Sequence, residues 1–395
     1  MAKSQLNVAM IGYKFMGKAH SNGYRQVARV MDPPAEPVMK LLVGRTPEAL
    51  QAAAVEYGWQ KTETDWHKAV RRKDIDIVDI CTANDAHMEL VLGALKAGKH
   101  VFCEKPLAMN LKQATRMAQA AVNAGVKHMV NFNYRTTPAI ALAKQLIDEG
   151  RIGRIFHWRA RYLQDWIIDP TFPLVWRLDK AVAGSGSHGD LNAHIIDLAL
   201  WLVGGISDVS ALMETFVKRR PQQAQTTGGL TAAAGEGYGD VTVDDAVLAL
   251  ARFQNGAVGT FEASRFSAGH KNDLFFEING DKGSIRFEFE RMNELQYFNR
   301  EDPPHAQGFR TILATEGCHP YLKSWWPPGH ILGYEHGFAH NLYNFICAIA
   351  NDTPASPDFV AGAKVNAVLD AMAKSAETNR WTPVSEVKLV EPVRA

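Results

Sequence analysis

Two short stretches of the sequence carry side chains that can move protons. The first, residues 99–106, reads Lys-His-Val-Phe-Cys-Glu-Lys-Pro, and its apolar run is typical of a buried strand that ends by delivering Lys105 to a sheet edge. Ligands bind at that edge in open α/β sheets. Taken alone, the tripeptide favours a surface lysine before a helix-starting Pro106. The other polar residues of the chain favour a functional lysine.

The second stretch, residues 184–197, reads Gly-Ser-Gly-Ser-His-Gly-Asp-Leu-Asn-Ala-His-Ile-Ile-Asp. If it is helical, Asp190 and His194 are four residues apart and point the same way. The preceding glycines then leave room for a ligand. An isolated pair of this kind favours a plain helix, in which the aspartate complements the N-terminal dipole.

An altered dinucleotide-binding motif follows the first apolar run, residues 7–12. It reads Gly12-Tyr-Lys14-Phe15-Met16-Gly17, with lysine in place of the second of three glycines. We expect Gly12 to make the tight turn, Gly17 to allow close helix–strand contact, and the helix N-terminus to bind a pyrophosphate. Lys14 either adds a phosphate contact or points outward. Without its context, the motif is equally consistent with an ordinary strand–helix turn.

The elements that must position these residues follow from the repeating pattern. Further apolar runs at 38–43, 75–81, 101–103 and 126–132 alternate with helical segments, which predicts a doubly wound parallel sheet. Polar side chains again follow the strand ends, at Thr82, Asn84 and His87 and at Asn133-Tyr134-Arg135. We expect the last group to face the same crevice as Lys105.

The pattern changes after residue 133. Paired runs at 246–253 and 257–266, and at 274–278 and 284–289, predict antiparallel hairpins. The fold class is therefore α/β: an N-terminal Rossmann domain, 1–133, and a C-terminal α+β domain, 134–395, with a large mostly antiparallel sheet. Residues 228–239 are predicted to form a mobile loop, and 303–333 a lid or a subunit contact. An aromatic segment with Trp166, Phe172 and Trp176-Arg177 is either a sugar-stacking wall or a folded loop packed with aromatics.

Composition excludes some classes of function. Lysine plus arginine number 43 against 42 acidic residues, which argues against a nucleic-acid footprint or a membrane-surface patch. The N-terminus shows no apolar signal core, and we expect no transmembrane segment and a cytoplasmic location. The four cysteines show no metal-ligand or disulfide spacing, so we predict reduced thiols and no metal. The expected partner is a small molecule.

In order and context, these motifs resemble the Gfo/Idh/MocA family of oxidoreductases (glucose–fructose oxidoreductase, inositol dehydrogenase and rhizopine-catabolism proteins) over nearly the whole chain. The resemblance rests on the altered glycine motif, Glu104-Lys105-Pro106, Asn133-Tyr134-Arg135, and Gly189-Asp190 through His194. Within the family, the chain looks most similar to glucoside 3-dehydrogenases and their relatives. The supporting stretches are residues 15–21, 162–166, 183–186 and 319–321.

The resemblance implies hydride exchange between nicotinamide and a secondary hydroxyl of a sugar, glycoside or cyclitol, with pyranose C3 as the expected position. By analogy, Lys105 and His194 share proton transfer and charge stabilisation, and Asp190 orients the substrate or the base. The expected cofactor contacts are Gly12, Lys14, Phe15, Met16, Gly17, Gly44, Arg45, Thr82, Asn84, His87, Glu104, Lys105 and Asn133. The expected substrate contacts are Lys105, Tyr134, Gln164, Trp166, Arg177, Asp190, Asn192 and His194. A homodimer or homotetramer through the C-terminal sheet is also implied.

Two alternatives remain open from the sequence: redox-neutral glycoside chemistry through transient oxidation, and a non-catalytic nucleotide-binding regulator. The choice between NAD and NADP depends on the residues at the end of the second strand, Gly44-Arg45-Thr46. NAD sites place an acid there for the ribose 2′-hydroxyl. Here Gly44 leaves space and Arg45 offers donors suited to a phosphate, which favours NADP slightly. Alternatively, Arg45 stacks on adenine, and the relatives that the chain resembles most use NAD with an acid at about this point.

Overall fold

The computed structural model describes residues 3–224 and 232–390. The chain divides into two compact units. The first comprises the described residues up to Asn133, then Tyr334–Asn366 and the chain from Val387; the second comprises Tyr134–Gly333 and Ala367–Glu386. The sequence assigns residues 334–366 to the second domain, whereas the structure groups them with the first.

The first unit is built on a six-stranded sheet in which every pairing is parallel, with the order β3-β2-β1-β4-β5-β6. Its strands are β1 Gln5–Ile11, β2 Glu36–Val43, β3 Lys61–Glu63, β4 Ile77–Ile80, β5 His100–Cys103 and β6 His128–Val130. Its helices are α1 Phe15–Val30, α2 Pro47–Tyr57, α3 Trp66–Arg71, α4 His87–Lys96, α5 Leu111–Ala124 and, later in the chain, α9 His336–Ala350. This order is that of a Rossmann fold, as predicted.

Burial explains which strands the sequence reveals. Val8, Met10 and Phe102 are fully buried, as expected for strands covered on both faces, and such strands read as continuous apolar runs. The edge strand β3 is Lys-Thr-Glu and carries no such run, so the sequence analysis missed it. Helix α9 packs on α1 and completes one face of this unit.

The second unit contains a nine-stranded sheet with the order β16-β15-β14-β13-β7-β12-β11-β8-β17. All neighbours are antiparallel except β7 and β12. The strands are β7 Ile155–Leu163, β8 Ile206–Glu214, β11 Ala246–Phe253, β12 Val258–Ser264, β13 Asp273–Gly280, β14 Gly283–Glu288, β15 Glu294–Asn299, β16 Arg310–Leu313 and β17 Thr382–Pro383. Both predicted hairpins are confirmed, as β11–β12 and β13–β14.

The two faces of this sheet differ in burial. One face carries fully buried aromatic side chains, among them Trp158, Phe276 and Phe287, and α8 packs on β7. The other face is open, with Leu212, Leu248 and Leu250 about half exposed. The helices of the unit are α6 Pro138–Asp148, α7 Lys180–Ala183 and α8 Ala193–Leu202, while α10 Phe359–Thr378 crosses the division between the units in the sequence.

The expected loop at 228–239 is partly replaced by a strand. Residues 228–231 lie outside the described residues, but β10 Ala234–Asp240 pairs antiparallel with β9 Arg219–Gln223. The two strands can approach closely because residues 235 and 239 are glycines. A Cβ at 235 would contact Ala224, and a Cβ at 239 would contact the Gln222 side chain. Glycine content alone therefore gave the wrong prediction for this stretch. No helix in residues 3–224 and 232–390 has the length and apolarity needed to cross a membrane.

Candidate active site

The glycine motif forms a cradle at the carboxyl end of β1. Gly12 has φ +104°, and a Cβ on it would lie 2.6 Å from the Cys81 carbonyl oxygen. A Cβ on Gly17 would lie 2.3 Å from the Gly12 carbonyl oxygen. Both positions therefore require glycine, and the N-terminus of α1 follows directly at Phe15. This geometry fits the pyrophosphate of a dinucleotide, which binds backbone N–H groups at such a helix start.

Two cations lie beside this cradle. Lys14 is exposed at the N-cap of α1, and Arg45 is exposed just after β2. Partial burial, followed by the charge of Arg45, lowers the pKa of Lys14, so the two side chains share one electrostatic environment. The space predicted above Gly44 is filled by the Tyr13 ring, whose Cε1 lies 2.3 Å from where a Cβ on Gly44 would be. The phosphate pocket expected from Gly44 is thus occupied by an aromatic ring in this conformation.

Other predicted cofactor contacts differ in exposure. Phe15 is 44% exposed and Met16 is half-buried at the start of α1. Thr82 and Asn84 are half-buried after β4, and the Thr82 hydroxyl oxygen is buried without a hydrogen-bond partner, so it can bind a ligand's polar group. Asn133, beyond β6, is 4% exposed.

His87, one of the predicted cofactor contacts, lies between two loops of the first unit. His87 is fully buried; Nδ1 lies 3.1 Å from the Pro106 carbonyl oxygen and Nε2 lies 3.3 Å from that of Thr82. The ring therefore ties the loop after β4 to the loop after β5. Burial lowers the pKa of His87, against the opposing effect of these carbonyl contacts.

Glu104 is likewise turned inward. It is 4% exposed, and its carboxylate accepts hydrogen bonds from His20 Nε2 at 2.8 Å, Asn131 Nδ2 at 2.6 Å and the Lys105 backbone N–H at 3.2 Å. Lys105 itself is half-buried directly after β5, at the strand end predicted from the sequence. Glu104 therefore fixes the lysine's backbone.

The second unit holds its own polar cluster, centred on His194. The Tyr134 ring lies 4.3 Å from the His194 ring, centroid to centroid, and its hydroxyl lies 2.7 Å from that of Tyr162. Burial raises the pKa of Tyr134 well above its usual value, so the phenol stays neutral. Tyr162 donates to Asn272 at 2.7 Å, and the Asn272 oxygen also accepts from Gln164 at 2.9 Å.

The helix that carries Asp190 and His194 differs from the prediction. Residues His188–Asn192 form a π-helical turn, and α8 begins at Ala193, so the α-helical spacing assumed for the pair does not apply. Such turns are rare and recur at functional sites. The Asp244 carboxylate builds this turn by accepting from the N–H groups of Gly186 and His188 at 2.7 and 2.8 Å.

The glycines before this turn have a different purpose from the one predicted. A Cβ on Gly186 would lie 1.7 Å from the Asp244 carbonyl oxygen, so the glycine allows backbone packing rather than ligand access. Asp190 accepts from the buried Arg265 guanidinium at 2.8 Å, and that guanidinium also lies 5.5 Å from the Trp166 ring centroid. Arg265 was not predicted from the sequence, because it belongs to no recognisable motif.

The remaining predicted sugar contacts divide into two groups. Trp166 is half-buried, donates to Gln164 at 3.0 Å and packs with Phe172 on an apolar cluster, which supports the interpretation of this segment as a folded loop. Arg177 is half-buried, with its guanidinium over the Trp176 ring. Asn192 is fully buried, and its amide nitrogen faces His188 and Met372, so the structure gives it a packing role instead.

Arg135, predicted to face the same crevice as Lys105, is buried in the second unit. Its guanidinium makes a buried two-pronged ion pair with Asp197, one turn beyond His194, at 2.7 and 2.6 Å. Sequence analysis also missed Tyr162 and Asn272. No local signal marks them, since the pairing of β7 with β13 is what brings Asn272 beside Tyr162, whose hydroxyl in turn contacts that of Tyr134.

Two family descriptions match the chain. Residues 6–132 match an oxidoreductase family with an NAD-binding Rossmann fold, and residues 140–286 match the GFO/IDH/MocA C-terminal domain. A levoglucosan dehydrogenase of Pseudarthrobacter phenanthrenivorans is 43% identical over 97% of this chain and 99% of its own length.

Solved structures agree over the same extent. A levoglucosan dehydrogenase in complex with NADH and levoglucosan superimposes with a TM-score of 0.92 at 42% identity, covering 97% of this chain and 100% of that one. An oxidoreductase domain protein from Kribbella flavida gives the same TM-score, 0.92, at 48% identity, with 97% and 100% covered. The resemblance predicted from the motifs is confirmed.

Proposed function

Because the chain belongs to the GFO/IDH/MocA family of oxidoreductases, we propose that it is a nicotinamide-dependent dehydrogenase acting on a secondary hydroxyl of a neutral sugar, glycoside or cyclitol. The observation that supports this best is the cluster of Tyr134, Tyr162, Asn272 and His194, in which neutral donors and acceptors surround an imidazole. Pyranose C3 is the position we propose for oxidation, from the resemblance alone.

The nucleotide belongs to the first unit in this proposal, and residues 1–133 are its binding domain. Gly12, Gly17 and the start of α1 hold the pyrophosphate, while Thr82 and Asn84 bind nearer the reactive ring. When bound, the nicotinamide supplies the chemistry of hydride acceptance and donation. The protein has to fix the substrate and move one proton.

The proton steps are assigned to Lys105 and His194. In oxidation the C–H bond breaks with its electron pair leaving as hydride, the O–H proton passes to a basic side chain, and a carbonyl remains. Histidine titrates near neutrality and suits the base, whereas a lysine donates to the oxygen and stabilises its developing charge. Asp190, held by Arg265, is an acceptor that orients substrate hydroxyl groups.

Single substitutions test these roles. Lys105→Ala should lower turnover by ~10²–10⁴-fold, the usual range for a general acid–base group, without unfolding the protein. His194→Gln should do the same, while Lys99→Ala, which removes a lysine bound only to backbone carbonyl oxygens, is the matched control. Near-normal turnover of Lys105→Ala would remove that residue from the mechanism.

Substrate class is tested with a panel of levoglucosan, glucose, glucosides, inositols and sugar phosphates, followed by cofactor absorbance. Aromatic rings and neutral polar groups favour the neutral sugars, because a phosphate site requires clustered cations. Reduced cofactor should accumulate in step with a ketosugar. Product formation without net reduced cofactor would instead support redox-neutral chemistry, and preference for a phosphorylated sugar would contradict the proposed class.

For the nucleotide, we propose that both NAD and NADP bind and that NADP is slightly preferred. Lys14 and Arg45 form a cationic pair that a 2′-phosphate would neutralise, and no acid of the β2 end competes with it in the sequence Gly44-Arg45-Thr46. Against it, the levoglucosan dehydrogenase structure carries NADH. Comparison of kcat/KM for the two nucleotides in wild type and Arg45→Ala tests this. A preference for NAD that survives the substitution would show that Arg45 binds no phosphate.

We further propose that the protein forms a homodimer or homotetramer through the open face of the nine-stranded sheet. Leu212, Leu248 and Leu250 project there with 60%, 49% and 51% exposure, beside both Arg161 and Glu262. Such a mixed-charge apolar face can pair with its own copy. Sedimentation of Leu248→Glu tests this, and an unchanged assembly would contradict it.

We also propose that the reaction takes place in the cytoplasm, where the free cysteines at 81, 103, 318 and 347 stay reduced.

A further inference from the structure

A buried histidine in the first unit bridges two carboxylates. His20, on α1, is fully buried; its Nδ1 lies 2.9 Å from Asp79 Oδ2, and its Nε2 lies 2.8 Å from Glu104 Oε1. A neutral imidazole has only one N–H, and its other nitrogen would present a lone pair to a carboxylate oxygen. A proton on each nitrogen satisfies both carboxylates, and in that state His20 is a buried cation.

The surroundings agree with that charge. Burial by itself lowers the pKa of His20, but the contacts with Asp79, and after it Cys81, outweigh burial and raise the pKa well above its usual value. Burial likewise acts to raise the pKa of Glu104, yet the His20 contact and the nearby lysine lower it. Other titratable neighbours are Cys81, Cys103 and Tyr24, whose pKa values burial raises, so all three remain neutral.

His20, Asp79 and Cys81 are also residue types that can bind a metal, and their ligand atoms are close together. A metal needs a lone pair on the imidazole, however, whereas protons on the two nitrogens serve the two carboxylates. The group is therefore better described as an ion-pair network.

This network ends at the backbone of Lys105. One oxygen of Glu104 accepts hydrogen bonds from His20 and Asn131. The other oxygen accepts from the Lys105 backbone N–H at 3.2 Å. Asn131 is in turn held by Asn341 on α9 at 2.8 Å. The His20, Asn131 and Lys105 donors to Glu104 thus lie on separate segments of the chain, and the His20 donor is a charged side chain.

We propose that His20 is a positioning residue for proton transfer at Lys105: its cation locks the Glu104 carboxylate, which fixes the backbone from which the lysine extends. The inference rests on the proposed role of Lys105. It assigns a further task to α1, which then connects the proposed cofactor cradle to Lys105 through the side chains of His20 and Glu104. His20 touches neither reactant.

His20→Gln is the first test. We expect kcat to fall about 10–100-fold, since small misplacements of a reacting group have effects of this size. The Kd for NADH, from fluorescence titration, should change by less than about threefold because the cradle of Gly12 and Gly17 is untouched. A kcat within error of wild type would overturn the proposal.

A second variant separates positioning from folding. His20→Gln/Asp79→Asn removes one positive and one negative charge, so the buried charge balance of the wild type returns. We expect the Tm of this double variant to be higher than that of His20→Gln. Its kcat should stay low, because Glu104 still lacks the His20 donor. Recovery of kcat together with Tm would show that His20 only stabilises the fold.

The Lys105→Ala variant separates the proposed role of His20 from the proposed role of Lys105. If Lys105→Ala is impaired but His20→Gln is not, only the positioning role of His20 fails. If Lys105→Ala keeps normal turnover, the proposed role of the lysine fails, and the role of His20 falls with it.

Discussion

Replacing Arg135 with methionine removes one half of a buried ion pair that joins the segment carrying Tyr134 to the helix carrying His194. Asp197 is 1% exposed, and both of its oxygens accept from Arg135, at 2.6 and 2.7 Å. Removing one partner of such a pair costs about 3–5 kcal/mol, because the other charge stays buried. The guanidinium also lies 5.3 Å from the Trp201 ring centroid, a contact that contributes about 0.5–1 kcal/mol.

Thermal unfolding measures this cost. For a unit of this size, each kcal/mol lowers Tm by roughly 2–4 °C, so we expect a drop on the order of 10 °C for Arg135→Met. Activity should fall as well, since the 4.3 Å contact of Tyr134 with His194 depends on the same pair. A loss of about 10²-fold in kcat/KM is the scale for a displaced catalytic group.

The pH dependence gives an independent check. Burial raises the pKa of Asp197, and Arg135 opposes that rise. Without Arg135 the pKa climbs further. A carboxyl with a folded-state pKa above its unfolded value adds stability at low pH and loses it as the pH rises through the folded-state pKa. The deficit of Arg135→Met should therefore be largest near neutral pH and shrink on acidification.

The matched control is Arg135→Met/Asp197→Leu, which removes both charges at similar volume. Such replacements are often neutral or stabilising. A double variant no more stable than Arg135→Met, or a deficit independent of pH, would refute the reasoning.

Three further predictions follow from the same geometry. Gly17→Ala places a Cβ 2.3 Å from the Gly12 carbonyl oxygen, so the Kd for NAD(H), measured by calorimetry, should rise about tenfold or more; unchanged binding would contradict the cradle. Asn272→Ala leaves the Tyr162 hydroxyl and Gln164 without their acceptor, and kcat/KM for the sugar should drop roughly 10–100-fold while the Kd for NADH holds; an equal loss in both would contradict its placement in the substrate cluster. Gly186→Ala puts a Cβ 1.7 Å from the Asp244 carbonyl oxygen and should destabilise the protein by about 1–3 kcal/mol in denaturant unfolding, whereas an unchanged midpoint would show that this turn can relax.

The sequence by itself determined the layer architecture of the first unit and the identity of its cradle. Strands buried on both faces read as apolar runs, and Gly12 and Gly17 stand where only glycine fits, so local pattern and local sterics agree. The position of Lys105 at a strand end followed for the same reason. The hairpins β11–β12 and β13–β14 were equally visible, because alternation and a turn signal lie close together in the chain.

Only the tertiary structure decided which polar side chains face one another. His87, Asn192 and Arg135 have residue types suited to ligand binding, but each is buried against partners far away in the chain or in a neighbouring loop. Arg265 and Asn272 join the polar cluster because β12 and β13 flank β7 in the sheet, a pairing over 100 residues apart that leaves no local pattern. The π-helical turn at His188–Asn192 likewise depends on Asp244, which supplies the hydrogen bonds that a continuous α-helix would not need. Residue type and spacing thus predict what chemistry is available, while long-range pairing and burial determine which groups can perform it.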